Sequence, residues 1–446
     1  MKKFLLALAL VAFTATGALA ADWTWFGQFN LKGVSHDGFK FLEDTDSNYS
    51  GIYQLARIGG RVTLDEKVLV GYRLRLYRGD LDGTTAGATP TGGTASEPGF
   101  AVDRSWIEVK PIAALKLTVG AANEGWAYHR EFGGGWWGGI NSEAGGGGLV
   151  RADVDLGTVK PYFAWQIEKS NDKHTLNTET GDANLYVLGA NIKSGDLGVY
   201  PMLATYRINA ADTTLKDNVE TLGGYVAVEY LPKEGVQFKG IFTGTQIDTK
   251  EAGIDSYTLF GGLVDVAYAT SSFKAGVTVA YGGYDKDNKE GFFFGGDWNK
   301  TIIVDNGIVD GMGVAGMTAI YPYITFSPVD KLTLGLTGAY YMSNVDGKAT
   351  NGDYLEQVNV NSDLANGFVS YGGYSLNRYG YAIDEDSSII EVDFTAKYAF
   401  AKGVSTTFGA AYAKFTDIYP TDAVVGSYGK QSPDSLQIYL ALDASF

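Results

Sequence analysis

The sequence predicts an all-β chain, a transmembrane antiparallel β-barrel of about eighteen strands. Three observations carry that expectation. Apolar and polar residues alternate over segments of roughly 9–11 residues, the length a tilted strand needs to cross a bilayer. The connectors between these segments switch between tight turns and long loops. Charge gathers on one parity of each segment, and aromatic residues gather near the ends of the other.

Composition agrees. The 446 residues include 60 glycines and 29 tyrosines but only 10 prolines, a mixture that suits strands and turns. The chain has no cysteine, which excludes a disulfide scaffold, a c-type haem attachment and a thiolate metal site. No apolar run reaches about 18 residues, so helical membrane spans are excluded. A net charge of −16 argues against a nucleic-acid partner.

The first element is "MKKFLLALALVAFTATGALA". Lys2 and Lys3 precede an apolar stretch from Phe4 to Phe13, and Ala18-Leu19-Ala20 supplies an A-x-A cleavage site. This reads as a signal peptide over 1–20, with the barrel domain over 21–446. About ten apolar residues are too few for a membrane anchor.

The first barrel segment, "DWTWFGQFNLKG", puts Trp23, Trp25, Phe29 and Leu31 against Thr24, Gln28, Asn30 and Lys32, with Phe26 as an exception. "EKVLVGYRLRLYRGD" sets Val68, Val70, Tyr72, Leu74 and Leu76 against Arg73, Arg75 and Tyr77. "SIIEVDFTAKYAF" sets Ile390, Val392, Phe394, Ala396 and Tyr398 against Glu391, Asp393 and Lys397. The same period places strands near 22–35, 51–64, 67–78, 101–110, 115–122, 149–156, 159–168, 184–193 and 197–208. It places the rest near 220–230, 236–247, 257–269, 273–284, 317–326, 332–342, 388–400, 404–415 and 435–446. Sixteen strands is the alternative, because 101–110 and 317–326 alternate poorly.

The stretches "LDEK", "SGD", "PKEG" and "SPVDK" read as tight turns on one rim, and 79–100, 124–148, 285–316 and 343–388 as long loops on the other. The outward rows carry Trp23, Trp25, Trp165, Tyr206, Tyr230, Phe260, Phe273, Tyr281, Phe326, Tyr340, Phe400, Tyr412 and Phe446 near their ends, as two interfacial girdles would.

The signal, the alternating strands and the terminal "SLQIYLALDASF" together resemble a bacterial outer-membrane porin over the full length. The resemblance implies an outer-membrane channel, surrounded by lipid and lipopolysaccharide, that passes small hydrophilic solutes or ions by diffusion. It also implies that Phe446 serves as the signal read by the barrel assembly machinery, and that the chain associates as a homotrimer. A count of eighteen is similar to the substrate-specific channels, and sixteen to the general porins. A channel selective for sugars, anions or uronates is therefore an alternative. A structural barrel housing a partner such as a cytochrome is another.

In porins the third long loop folds inward, and here that loop is 123–148, "NEGWAYHREFGGGWWGGINSEAGGGG". Glu124, Glu131 and Glu143 would give a constriction there its negative charge. Five aromatic residues in that loop argue against free solvation. The counterpart is a wall of Arg57, Arg61, Arg73, Arg75, Arg104 and Arg151 on neighbouring strands, each a stiff, permanently charged fork. Structural pairing, such as Arg104 with Glu108, is the plainer reading of the same residues.

The other inward positions read as small, amide or charged: Lys160, Gln166, Lys193, Glu229, Gln237, Lys239, Asp265, Lys274 and Lys397. Inward Tyr77, Tyr162, Tyr225, Tyr284 and Tyr341 could stack on a sugar, but they are scattered. No catalytic constellation emerges. His36, His129 and His174 all fall in expected loops, and no G-x-S-x-G elbow is present. "DKDNKEG" at 285–291 has Lys289 where a calcium loop needs an oxygen ligand. No cofactor or metal is expected.

Overall fold

In the computed structural model, the structure describes residues 22–37, 49–80, 101–121, 148–169, 182–209, 219–248, 256–285, 290–291, 293–294, 301–304, 314–344, 381–382, 385–417, 419–420, 432 and 434–446. Among them, eighteen long strands form one antiparallel meander. They are β1 (Asp22–Asp37), β2 (Tyr49–Asp65), β3 (Val68–Asp80), β4 (Ala101–Ile112), β5 (Leu115–Ala121) and β6 (Leu149–Val154). Next come β7 (Val159–Lys169), β8 (Asp182–Ser194), β9 (Leu197–Asn209), β10 (Val219–Tyr230), β11 (Gly235–Asp248) and β12 (Tyr257–Ala269). The circuit finishes with β13 (Phe273–Gly282), β14 (Met317–Val329), β15 (Leu332–Ser343), β16 (Ser388–Ala401), β17 (Val404–Thr416) and β18 (Asp434–Ser445). Each strand pairs with its sequence neighbours, and β18 pairs with β1, so the sheet closes into a barrel with no free edge.

Residues opposite one another across a ladder share a face, and the registers therefore sort every strand into an inner and an outer row. On the outer row Leu188, Leu203, Phe242, Val264, Ile390, Ile438 and Leu440 are exposed around the whole circumference. An apolar band of that extent is a lipid-facing surface. Charged outer residues cluster at the long-loop rim, where Arg207 pairs with Glu220 at 2.8 Å. The inner row on β12 (Tyr257, Leu259, Gly261, Leu263, Asp265, Ala267 and Ala269) is buried throughout, while Phe260, Val264, Val266 and Tyr268 between them are exposed.

Two expected strands alternated poorly for local reasons. In β4 the register with β3 shifts between Arg73 and Leu74, so Arg73 stands opposite Arg104 while Leu74 stands opposite Val102. The extra residue flips the parity, as a bulge must. In β14 Pro322 sits on the outer row and lacks the N–H that a ladder uses. The β2–β3 register also shifts between Ala56 and Arg57, so the alternation through Arg73 and Arg75 does not carry on to position 77.

Besides Tyr77, whose backbone position this shift moves off the inner row, two further assignments from the sequence change. Tyr206 stands opposite Leu185, so its backbone position falls on the inner parity of β9 and not on the outer row of the expected girdle. His36 belongs to β1 and not to a loop, because its pairing with β2 and β18 runs on to the rim. Residues 1–20 lie outside the described residues.

The turns on the short rim are held by their own side chains. Asp65 accepts the N–H of Lys67 at 2.6 Å and of Val68 at 2.8 Å. Asp155 accepts Lys160 Nζ and Gly157 N–H, and these two donors hold its carboxyl below the usual range. Gly403, between β16 and β17, has φ +77°, and a Cβ there would lie 2.1 Å from the Ser445 carbonyl oxygen. Only glycine fits where this turn meets the end of the chain.

The seam between β1 and β18 ends on Phe446. Its backbone N–H donates to Gly27 O at 3.2 Å, and Gly27 N–H donates to Phe446 O at 2.9 Å. Its ring lies over Gly27 on the outer face, where a Cβ would come within 2.2 Å of it. Deleting Phe446 should lower the temperature at which the folded, heat-modifiable band disappears on seminative gels. Each lost hydrogen bond contributes about 1 kcal/mol. Phe446→Ala, which keeps the backbone pair, should lower it less. Equal melting of both variants and the native chain would contradict this role.

Candidate functional site

The inner row of β2–β4 carries the arginines. Arg57 stands opposite Arg75, Arg73 opposite Arg104, and Arg61 opposite Gly71. Paired strands lie about 4.8 Å apart and same-face neighbours along a strand about 7 Å apart, so these five residues form one patch. Guanidinium groups keep their charge at any accessible pH. Like charges set directly opposite one another destabilise a ladder. The sheet therefore brings like charges face to face here twice over. Arg57 Nη1 donates to Gln28 Oε1 at 3.3 Å, which orients it along the wall.

Arg61 is held differently. Its guanidinium lies 5.5 Å from the centre of the Phe26 ring and 5.9 Å from that of Trp106. Both rings lie flat on the inner wall, and glycines make that possible. A Cβ on Gly59 would meet the Phe26 ring at 2.3 Å, and one on Gly71 would meet Trp106 at 2.2 Å. Trp106 Nε1 also donates to Glu108 Oε1 at 2.9 Å. Phe26, the exception to the alternation of β1, is thus part of the inner wall.

Arg151 stands apart from this patch. It forms a two-pronged contact with Asp153, with Nη2 at 2.6 Å and Nε at 2.9 Å from Oδ1, and lies 4.8 Å from the Tyr162 ring centre. Lys116 approaches the same Asp153 at 3.7 Å. This group takes the pairing alternative rather than facing an open lumen.

The remaining expected inward residues lie on the inner row. Lys193 approaches Glu229 at 3.9 Å, and Glu229 also accepts the Tyr200 hydroxyl. Lys239 stands opposite Asp265, which accepts Thr278 Oγ1 at 2.6 Å and Tyr323 OH at 3.0 Å. Lys160, Gln166, Gln237, Lys274 and Lys397 fall on the same parity. The expectation of a uniformly polar lining is corrected, however. Leu185, Val187, Met202, Ile241, Leu259, Leu263 and Met317 also point inward, on β8–β14, and all are buried. Apolar side chains settle there because protein rather than water covers them.

Residues 301–304, Thr301-Ile302-Ile303-Val304, are the clearest feature that the sequence reading missed. They belong to the long connector between β13 and β14, yet they are among the most buried residues of the chain. The N–H of Ile302 donates to Asp393 Oδ2 at 3.0 Å. Those of Ile303 and Val304 donate to Glu391 Oε1 at 2.5 Å and Oε2 at 3.0 Å. Thr301 Oγ1 and Tyr341 OH lie 3.0 Å apart. Glu391 and Asp393 are inner-row residues of β16, so this segment lies inside the barrel. The apolar run Ile302-Ile303-Val304 is one of several in this connector, so the sequence did not single it out.

Residues 123–147 of the 123–148 loop, with Glu124, Glu131 and Glu143, lie outside the described residues, as do His129 and His174. His36 Nε2 and Ser435 Oγ are 2.6 Å apart on the inner wall, and both residues are buried. Among the described residues, no cluster of three metal-ligating side chains occurs.

No protein-family model and no curated protein matches the sequence. Solved structures do match. OccK2 of Pseudomonas aeruginosa, crystallised with glucuronate, aligns with a TM-score of 0.55 at 9% identity, over 95% of this chain and 98% of its own. OccAB3 of Acinetobacter baumannii aligns with a TM-score of 0.55 at 10% identity, over 95% and 100%. OpdQ of P. aeruginosa aligns with a TM-score of 0.53 at 8% identity, over 95% and 98%. At these identities the likeness establishes the fold. The chain has the closed eighteen-strand barrel of porin-type outer-membrane channels.

The glycine platform beneath Arg61 gives a direct test. On Gly59 a Cβ would meet both the Phe26 ring and the Tyr72 carbonyl oxygen, the latter at 2.6 Å. The backbone oxygen cannot swing aside as a ring can. Gly59→Ala should therefore destabilise the folded barrel by about 1–3 kcal/mol, the usual effect of overpacking. Urea unfolding in detergent or lipid measures it. Gly33→Ala, at a site with open space, should have a much smaller effect.

Proposed function

We propose that this protein is an outer-membrane channel for the passive diffusion of small hydrophilic solutes, and that its arginine patch favours anions. The observation that carries the reading is the double cross-strand pairing of Arg57 with Arg75 and Arg73 with Arg104 on the inner wall. An anion passing beside the patch relieves the like-charge repulsion built into the ladder. A carboxylate has the geometry to accept two parallel N–H bonds from such a fork. The selective form of this reading is a channel for small carboxylates such as uronates. The structural neighbour crystallised with glucuronate has the same fold and makes that class the first to try.

The reading includes export through a signal over 1–20 and assembly in the outer membrane through the Phe446 terminus. It assigns transport rather than catalysis, since Ser435 and His36 are both buried in the wall. A sheath around a cytochrome needs a wide, empty lumen. The inserted 301–304 segment and the covered apolar wall of β8–β14 weigh against it.

Electrostatic screening sets the scale of the test. A charge acts over about 8–10 Å at moderate salt, so a patch governs ions only where the path is comparably narrow. Planar-bilayer recordings under a salt gradient should give an anion-selective reversal potential. Arg57→Glu with Arg73→Glu should move it toward cation selectivity, most strongly in dilute salt. Lys397→Glu should move it less. Lys397 lies on β16, which the closed meander separates from β2 by β17, β18 and β1. That is about 20 Å along the sheet, beyond one screening length. An unchanged potential in the folded double variant would refute the anion reading. Glucuronate that neither blocks nor crosses the channel would refute its selective form.

A further inference from the structure

The inserted segment and the acidic pair beneath it form a matched fitting. Glu391 and Asp393 occupy successive inner positions of β16 and are 0% and 3% exposed. Two carboxyl groups this close and this buried lose their water, so each needs hydrogen-bond partners to remain in place. Those donors are three consecutive backbone N–H groups, of Ile302, Ile303 and Val304. Consecutive amides converging on an anion make a compact, charge-assisted contact.

The wall around the pair is shaped to receive a chain. Glu391 stands between Ala339 and Ala413, and Asp393 between Thr337 and Ala411. These small neighbours leave a shelf one strand wide, and Ala339, Ala411 and Ala413 are themselves covered. Tyr341 at its edge meets Thr301. At the rim, Phe293 and Phe294 pair with Ala315 and Val314, which draws together the two ends of the connector that contains the segment. Asn344 ties the adjoining rim, accepting Thr318 Oγ1 at 2.8 Å and donating to Gly282 O at 2.7 Å.

We propose that Glu391 and Asp393 are positioning residues that moor 301–304 across the lumen, and that the moored segment sets the upper size of solute the barrel passes. This rests on the channel reading, which supplies the solute. The mooring itself is a separate physical claim and has its own readout.

The chain has no cysteine, so a single Val304→Cys substitution gives a clean probe. Val304 is fully buried, and in the otherwise native barrel the introduced thiol should react slowly with a small aqueous maleimide. Glu391→Ala with Asp393→Ala should speed the labelling at least about tenfold, the factor that corresponds to ~1.4 kcal/mol of lost mooring. Ile303→Pro should do the same from the loop side, since it removes a donor while leaving the barrel strands untouched. Glu391→Gln with Asp393→Asn, which keeps acceptor oxygens, should fall between. Folding is checked by heat-modifiability, and Ile303→Pro keeps the test decisive if the wall variants fail to assemble.

In liposome swelling with a graded series of neutral oligosaccharides, both freed variants should admit larger sugars than the native barrel. Unchanged labelling would overturn the mooring. Faster labelling with an unchanged size limit would overturn the role in permeation. A native barrel impermeable to every solute would overturn the channel reading, and the size limit with it, while the labelling result would still stand.

Discussion

Closure of the ladder between β18 and β1 is the constraint on which everything else depends. In lipid no water is available for a bare N–H or C=O, so a sheet crosses a membrane only if its first and last strands meet. The chain meets that demand at Gly27 and Phe446, where two backbone hydrogen bonds complete the circuit and an aromatic ring covers the joint. Gly403, in the neighbouring turn, leaves room for Ser445 to pass. Small residues at this seam are consequences of a geometric requirement, not of flexibility.

Once the sheet is closed, each strand has two environments, and the inner one is far from uniform. On β2–β4 it is basic, with arginine facing arginine and Arg61 clasped between two rings laid over glycines. On β8–β14 it carries leucine, isoleucine and methionine that are packed away from water. On β16 it is acidic and occupied by backbone amides. The inner wall is therefore divided into arcs of different chemistry rather than lined uniformly. Charge pairing elsewhere follows the same logic. Arg151 with Asp153, and Lys193 with Glu229, pair locally on the inner wall.

The two carboxylates of β16 and the arginines of β2–β4 illustrate opposite solutions to one problem. Both are groups of one kind crowded on a wall of limited hydration. The acids are satisfied from within the chain by amides that arrive from a distant loop. The arginines lie on the less deeply buried part of the wall.

Period-two alternation was enough to determine the architecture from sequence. Side chains point to opposite faces at every step, and a lipid face tolerates almost no charge, so the pattern survives in the sequence with its turns and its strand number. The same parity placed Arg57, Arg61, Arg73, Arg75 and Arg104 on the inner wall without reference to any partner. Where a bulge or a proline interrupts the period, as at Arg73–Leu74 or Pro322, alternation faded although the strand did not. Tertiary structure alone decided what the inner rows meet. Nothing local tells Thr301-Ile302-Ile303-Val304 that it will lie against Glu391 and Asp393, almost ninety residues further on, because that contact is made by backbone amides, which every residue but proline carries. Likewise nothing local marks Leu259 and Leu263 as inner residues; the registers place them on the inner row, where they are buried and an apolar side chain is the favourable choice.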